Sequence, residues 1–170
     1  MNLFQQQPEG QPSGAIGLLR AAHFQIAYAT NDIDRACALF AEKFGISNFT
    51  RLEGPLAAGG HIRVELAWVG PVMYELITAE GAGSDIYVGR LPQVGFAVRH
   101  HHLGYLVSDS AEWDALLAEA QRVGADVPWI SHNAGFMKSC FIDAPLLGHY
   151  LEYICPEAAG TAFFASVARN

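Results

Sequence analysis

Cysteine is scarce in this chain and carries no pattern. Cys37, Cys140 and Cys155 are an odd count, and no two are spaced as C-x-x-C. They do not read as a disulfide framework but as reduced thiols, small buried hydrophobes of a cytoplasmic protein. Charge is sparse too, at 16% of residues, and bases are outnumbered, with 10 Lys+Arg against 17 Asp+Glu, a net charge of −7 and a pI near 5.4. That balance argues against nucleic acid or an anionic membrane surface as partner. No apolar run approaches the ~20 residues of a membrane span. Met1 leads into a Gln/Pro/Gly-rich stretch rather than a basic and then apolar one, so no signal peptide is expected.

What the chain does have is apolar residues, 51% of 170, enough for one domain with a real core. It also has an internal repeat. His102-Leu-Gly-Tyr-Leu-Val-Ser-Asp109 reads as a buried strand closed by a turn, and Gln25-Ile-Ala-Tyr-Ala-Thr-Asn-Asp32 is its copy 77 residues upstream. Tyr28 maps to Tyr105, Asp32 to Asp109, Leu39 to Leu116 and Glu42 to Glu119 at the same offset. Far downstream, Glu75 and Ile77 still map to Glu152 and Ile154. A period held that long indicates a duplicated structural unit.

The elements follow in order. Residues 1–21 form a flexible or loosely docked arm. A strand over 23–29 precedes a helix from Asp32 or Ile33 to Phe44, stopped by Gly45. Ile46–Glu53 reads as a strand, and Gly54-Pro55 and Gly59-Gly60 as loop. His61–Val69 alternates, with Ile62, Val64, Leu66 and Trp68 on one face and Arg63 and Glu65 on the other. Gly70-Pro71 turns the chain into a strand over Val72–Thr78, and residues 79–98 connect the halves. In the second half, Asp109 and Glu112 stand at capping-box spacing before a helix with Trp113, Leu116, Leu117, Ala120 and Val123 on its apolar face, ended by Gly124. Asp126–Ser131, Phe136–Ile142 and His149–Ile154 are the last strands. Pro156–Asn170 is apolar enough to dock as a short helix or to cover a neighbour.

The repeat places candidate ligands at two equivalent positions, Gln25 with His102 and Glu75 with Glu152. A pseudo-twofold would gather one imidazole, two carboxylates and one amide oxygen around one point, a set able to hold a divalent cation. A single Glu in an apolar strand can also be a salt-bridged edge residue, but burying an unpaired carboxylate is costly, and here two recur at matching positions. Gln25, the weakest member of the set, can also be a plain polar strand residue. Alternation puts His101 on the opposite face from His102, structural or exposed, while His100 shares the His102 face and is the fallback ligand. His23, His61, His132 and His149 read as surface or supporting groups, and Tyr28, Tyr74, Tyr105 and Tyr150 as core or cleft lining.

At these residues the chain resembles the vicinal oxygen chelate superfamily, which includes glyoxalase I, methylmalonyl-CoA epimerase, extradiol dioxygenases and antibiotic-resistance proteins. The resemblance covers about residues 22–155, as a module over 22–80 and another over 100–155, with 156–170 as a C-terminal extension. It implies an α+β fold: tandem βαβββ modules forming a curved, mixed sheet of eight strands around a cleft. The first and last strand of each module would carry the ligands, which fall on Gln25, Glu75, His102 and Glu152, the set used by glyoxalase I of the eukaryotic type. His101-His-Leu-Gly-Tyr-Leu-Val107 looks like the start of the epimerase second module. A homodimer is also implied.

The chemistry expected of such a site is proton transfer beside a carbonyl. A divalent metal (Zn, Ni, Co, Mn or Mg) stabilises the enolate of a carbonyl or thioester substrate, and Glu75 and Glu152 move the proton as catalytic base and acid. That implies an isomerase, epimerase or lyase. The alternative is a non-catalytic, resistance-type protein that binds a small molecule on the same fold. Where glyoxalase I has an Arg and an Asn that help to hold glutathione, this chain has Ala29 and Ala79, which argues against glutathione. The epimerase pattern has His where this chain has Gln25, and one matched His does not suit an extradiol Fe(II) site.

Overall fold

The structure, a computed structural model, describes residues 17–19 and 21–170. Its elements run β1 (Ala22–Thr30), α1 (Ile33–Phe44), β2 (Thr50–Pro55), β3 (His61–Val69), β4 (Val72–Glu80), α2 (Asp85–Val88), β5 (Val98–Leu106), α3 (Ser110–Val123), β6 (Trp129–Asn133), β7 (Met137–Ala144), β8 (His149–Pro156) and α4 (Ala158–Ser166). The eight strands follow the order β2-β3-β4-β1-β5-β8-β7-β6. β1 runs parallel to β4, whereas β2–β3, β3–β4, β6–β7 and β7–β8 are antiparallel, so the sheet is mixed. This is the glyoxalase-like α+β fold, a βαβββ order met twice. Among the described residues no helix is long and apolar enough to cross a membrane.

The chain forms two compact units, with boundaries inside β1 and β5. One comprises Gln25–His102 with Val167–Asn170. Here the Asp32 carboxylate accepts the Arg35 N–H and starts α1, while Gly45, at φ 72°, stops it in a left-handed conformation open to glycine. The N–H of Ile46 still bonds to the Phe40 carbonyl, so Ile46 belongs to the helix stop and packs with Ile33, Phe40 and Leu76. The strand expected from Ile46 therefore starts only at Thr50. The expected polar face of β3 is not a solvent face. Glu65 is buried, and Arg51 Nε at 2.8 Å and Arg63 Nη2 at 2.7 Å hold its Oε1. The last residues dock on the same unit: Trp68 N–H donates to Ala168, and Asn170 Oδ1 accepts the N–H groups of Ser47 and Asn48.

The other unit comprises Leu103–Ser166 with Phe24 and the described residues before it. Asp109 accepts the Glu112 N–H, Glu112 in turn accepts the Ser108 N–H, and Gly124 at φ 69° ends α3. Trp113, Leu116, Ala120, Tyr105 and Tyr153 form its core, each such burial contributing ~1.5–3 kcal/mol for a large apolar side chain. Most of the arm over 1–21 lies outside the described residues. Its described part is docked: Gly17 N–H donates to buried Glu119 and Leu18 accepts the Tyr153 hydroxyl. α4 is the short C-terminal helix expected from the apolar tail, and Phe164 packs edge-on against Phe24.

Candidate metal centre

In the unit Gln25–His102, the order β4-β1-β5 brings three of the predicted ligands onto adjacent strands. The parallel register sets Gln25 opposite Met73, one pleat from Glu75, so the two side chains share a face. Gln25 Nε2 donates to Glu75 Oε2 at 2.5 Å. His102 Nε2 lies 3.5 Å from the same oxygen. All three are buried, with exposures of 3% for Gln25, 7% for Glu75 and 1% for His102. Burial of these groups is costly unless they hold one another or an ion.

The proton on His102 is placed by its neighbour. His101 is buried against α2, stacked on Tyr87 with ring centroids 6.1 Å apart. Burial, and then the adjacent His102 ring, push His101 down to about 3, so it is neutral and carries one N–H. The Ile86 carbonyl, 2.9 Å from His101 Nε2, can only accept, so that N–H sits on Nε2. His101 Nδ1 is then an acceptor, and His102 Nδ1–H donates to it at 2.8 Å. In its neutral form His102 keeps Nε2 as a lone pair on the Glu75 side. Two electron-pair donors 3.5 Å apart repel unless a proton or a cation lies between them. Imidazole nitrogen, carboxylate oxygen and an amide whose ends are interchangeable by rotation suit a divalent cation of borderline character.

Glu152 lies in the other unit. It sits on β8 opposite Phe141, buried in a strand whose remaining residues from His149 to Cys155 are buried as well. Its charge, after burial itself, pushes the Cys140 thiol up to about 12. His100, the alternative ligand, is exposed, its Nε2 3.2 Å from the His102 carbonyl and its ring 5.9 Å from Tyr28. The role of His101 escaped strict alternation, which gave only its face. The signal was the run of three histidines, but the acceptor that fixes the ring comes from the connector and is invisible in sequence. Cys140 and Cys155 are buried and Cys37 half-buried, all three free thiols.

No family model matches the chain, and no curated protein matches it in sequence. Solved structures do. A variant of the methylmalonyl-CoA epimerase of Streptomyces coelicolor, in complex with 2-nitronate-propionyl-CoA, matches with a TM-score of 0.56 and 17% identity, over 81% of this chain and 99% of that one. The methylmalonyl-CoA epimerase of Mycobacterium tuberculosis matches with a TM-score of 0.58 and 15% identity, over 87% and 95%. A mutant 4-hydroxymandelate synthase of Streptomyces coelicolor matches with a TM-score of 0.50 and 12% identity, over 89% of this chain and 54% of that one. At such identities the likeness is one of fold alone, the glyoxalase-like fold.

Proposed function

We propose that this chain is a metal-dependent enzyme of the vicinal oxygen chelate type, an isomerase, epimerase or lyase that moves a proton at the carbon beside a substrate carbonyl. The observation that carries the reading is the convergence of Gln25, Glu75 and His102 in one buried cluster, with the His102 tautomer set by His101. These three side chains would hold the cation, and Glu152, equivalent to Glu75 in the repeat, completes the set on the strength of the sequence pattern and its own burial. When bound, a divalent cation would withdraw charge from a carbonyl oxygen and acidify the adjacent C–H. Zn, Ni, Co, Mn and Mg all suit some part of this donor set.

The chain's own residues supply the proton handling. Glu75 and Glu152 are buried carboxylates that would abstract and return the proton. Alanine at positions 29 and 79 offers no charge to a glutathione carboxylate, and the epimerase neighbour was solved with a propionyl-CoA analogue, so an acyl thioester is the substrate class favoured. A cytoplasmic homodimer belongs to the same reading, consistent with the free thiols.

Glu75→Gln and Glu152→Gln test it. Each removes a charge and nearly preserves shape. Each should keep the melting temperature, lower metal content and reduce solvent-deuterium exchange into acyl thioesters by ~10²–10⁴-fold. If metal content stays as in the unmodified chain while the melting temperature falls, the carboxylates are structural ion-pair residues and the binder reading returns.

A further inference from the structure

The unit Gln25–His102 also contains a cavity of about 520 Å³ beside α1. None of Gln25, Glu75 and His102 lines it. Tyr74 lines it and is adjacent to Glu75 on β4, and Tyr28 lines it three residues beyond Gln25 on β1, so both tyrosines point to the opposite face of their strands. One wall is a run of rings. Phe44 meets Phe40 at 5.1 Å, Phe40 meets Tyr28 at 5.6 Å, and Tyr28 meets His100 at 5.9 Å between centroids. Phe44 is 64% exposed and marks the mouth.

The polar groups in this wall are few: Tyr28, Tyr74, Arg99 and His100. Arg99 lines the cavity, and one of its five N–H groups donates to the Val98 carbonyl at 3.1 Å. Elsewhere in the chain Arg51 and Arg63 grip Glu65, and Arg122 grips Glu119. Among the described residues lining this cavity none is acidic. Burial, and then the nearby Tyr74, raise the Tyr28 phenol, which therefore stays protonated as a donor. A guanidinium and phenolic donors at one apolar, ring-walled cavity complement an anion with a hydrophobic body. The volume lies within the ~300–1,000 Å³ of small-molecule sites.

We infer that this cavity is a second binding site, taking a small amphiphilic carboxylate whose aliphatic or aromatic body lies along the Phe44–Phe40–Tyr28 rings and whose headgroup meets Arg99. The site needs no metal and is independent of the proton-transfer reading.

Anilinonaphthalene sulfonate serves as the fluorescent probe, with decanoate and decanol as competitors, on the full chain. Decanoate should displace the probe at lower concentration than decanol. Arg99→Gln should weaken decanoate by about tenfold or more and leave decanol nearly unchanged, as expected for loss of a charge-assisted contact. Phe44→Ala, at a position 64% exposed, should weaken both. Glu75→Gln should change neither. Equal displacement by acid and alcohol, or probe binding indifferent to Arg99→Gln and Phe44→Ala, overturns the assignment. So does a Phe44→Ala chain that turns from dimer to monomer with probe binding unchanged, because a second copy would then be the occupant.

Discussion

In the first βαβββ half, the β3–β4 hairpin turns over Gly70–Pro71 and sets Glu75 opposite Leu66. In the second, the β7–β8 hairpin pairs Ala144 with His149, turns over residues 145–148, and sets Glu152 opposite Phe141. A strict copy at the offset of 77 would place Glu152 opposite Asp143, so the register has moved by 143 − 141 = 2 residues. Two is the side-chain period of a strand, and the carboxylate therefore keeps its face. The helices show the same mixture. Asp32 and Asp109 cap alike, and Gly45 and Gly124 stop alike. Yet α1 buries Ile33, Ala36 and Phe40, whereas α3 buries Trp113, Leu116, Glu119 and Ala120, with Trp113 standing where α1 has Ala36. The halves share what backbone geometry demands, caps, stops and strand parity. They differ in volume, and the first half keeps a cavity beside its helix.

The packing difference can be broken first. Leu116 is 1% exposed in the α3 core, and Leu116→Ala should cost about 3 kcal/mol in urea unfolding, within the range for large-to-small core changes. Phe44→Ala, at the mouth of the first half's cavity, should cost under about 1 kcal/mol. Equal costs would mean that the two helices are packed alike after all.

A smaller effect tests the asymmetry of the ligand positions. His102 leans on His101 and, through it, on the Ile86 carbonyl, whereas Gln25 at the equivalent place makes its contact with Glu75 directly. His101→Phe keeps a ring beside Tyr87 and removes both nitrogens. Competition titration should show ~10–100-fold weaker divalent-metal binding, the usual loss when a ligand's supporting partner goes. Unchanged affinity would break the relay.

The smallest effect is the pH dependence that Cys140 contributes in the second half. Burial first, and the Glu152 charge second, push Cys140 from its ordinary 9 up to about 12. Above about pH 9 the unfolded chain loses a proton that the native chain keeps, so stability should fall as pH rises toward the native value. Denaturation between about pH 8 and pH 10 should show a shallower decline for Cys140→Ala than for the unmodified chain. Parallel declines would place that thiol in a solvated setting.

The repeat, the caps and the stops were legible in sequence because each is a local pattern read twice. The candidate ligand positions were proposed from the same repeat, since Glu75 and Glu152 interrupt apolar strands at equivalent places. What escaped depends on distant partners. α2 is one turn with no side-chain bond from Ser84 to announce it, yet it carries the acceptor for His101. Alternation put Glu65 on the polar face of its strand but did not show that Arg51, fourteen positions away, joins Arg63 to hold it. Ile46 read as the start of a strand but serves the helix stop, and Asn170 holds the N–H groups of Ser47 and Asn48 from the far end of the chain.

The central proposal, that Gln25, Glu75 and His102, together with Glu152, would hold one cation, is tested most directly by metal analysis of the full chain purified under metal-replete conditions. About one divalent ion per chain is the predicted result, because sites with three or four protein ligands retain their ion. Fewer than about 0.2 per chain would contradict it.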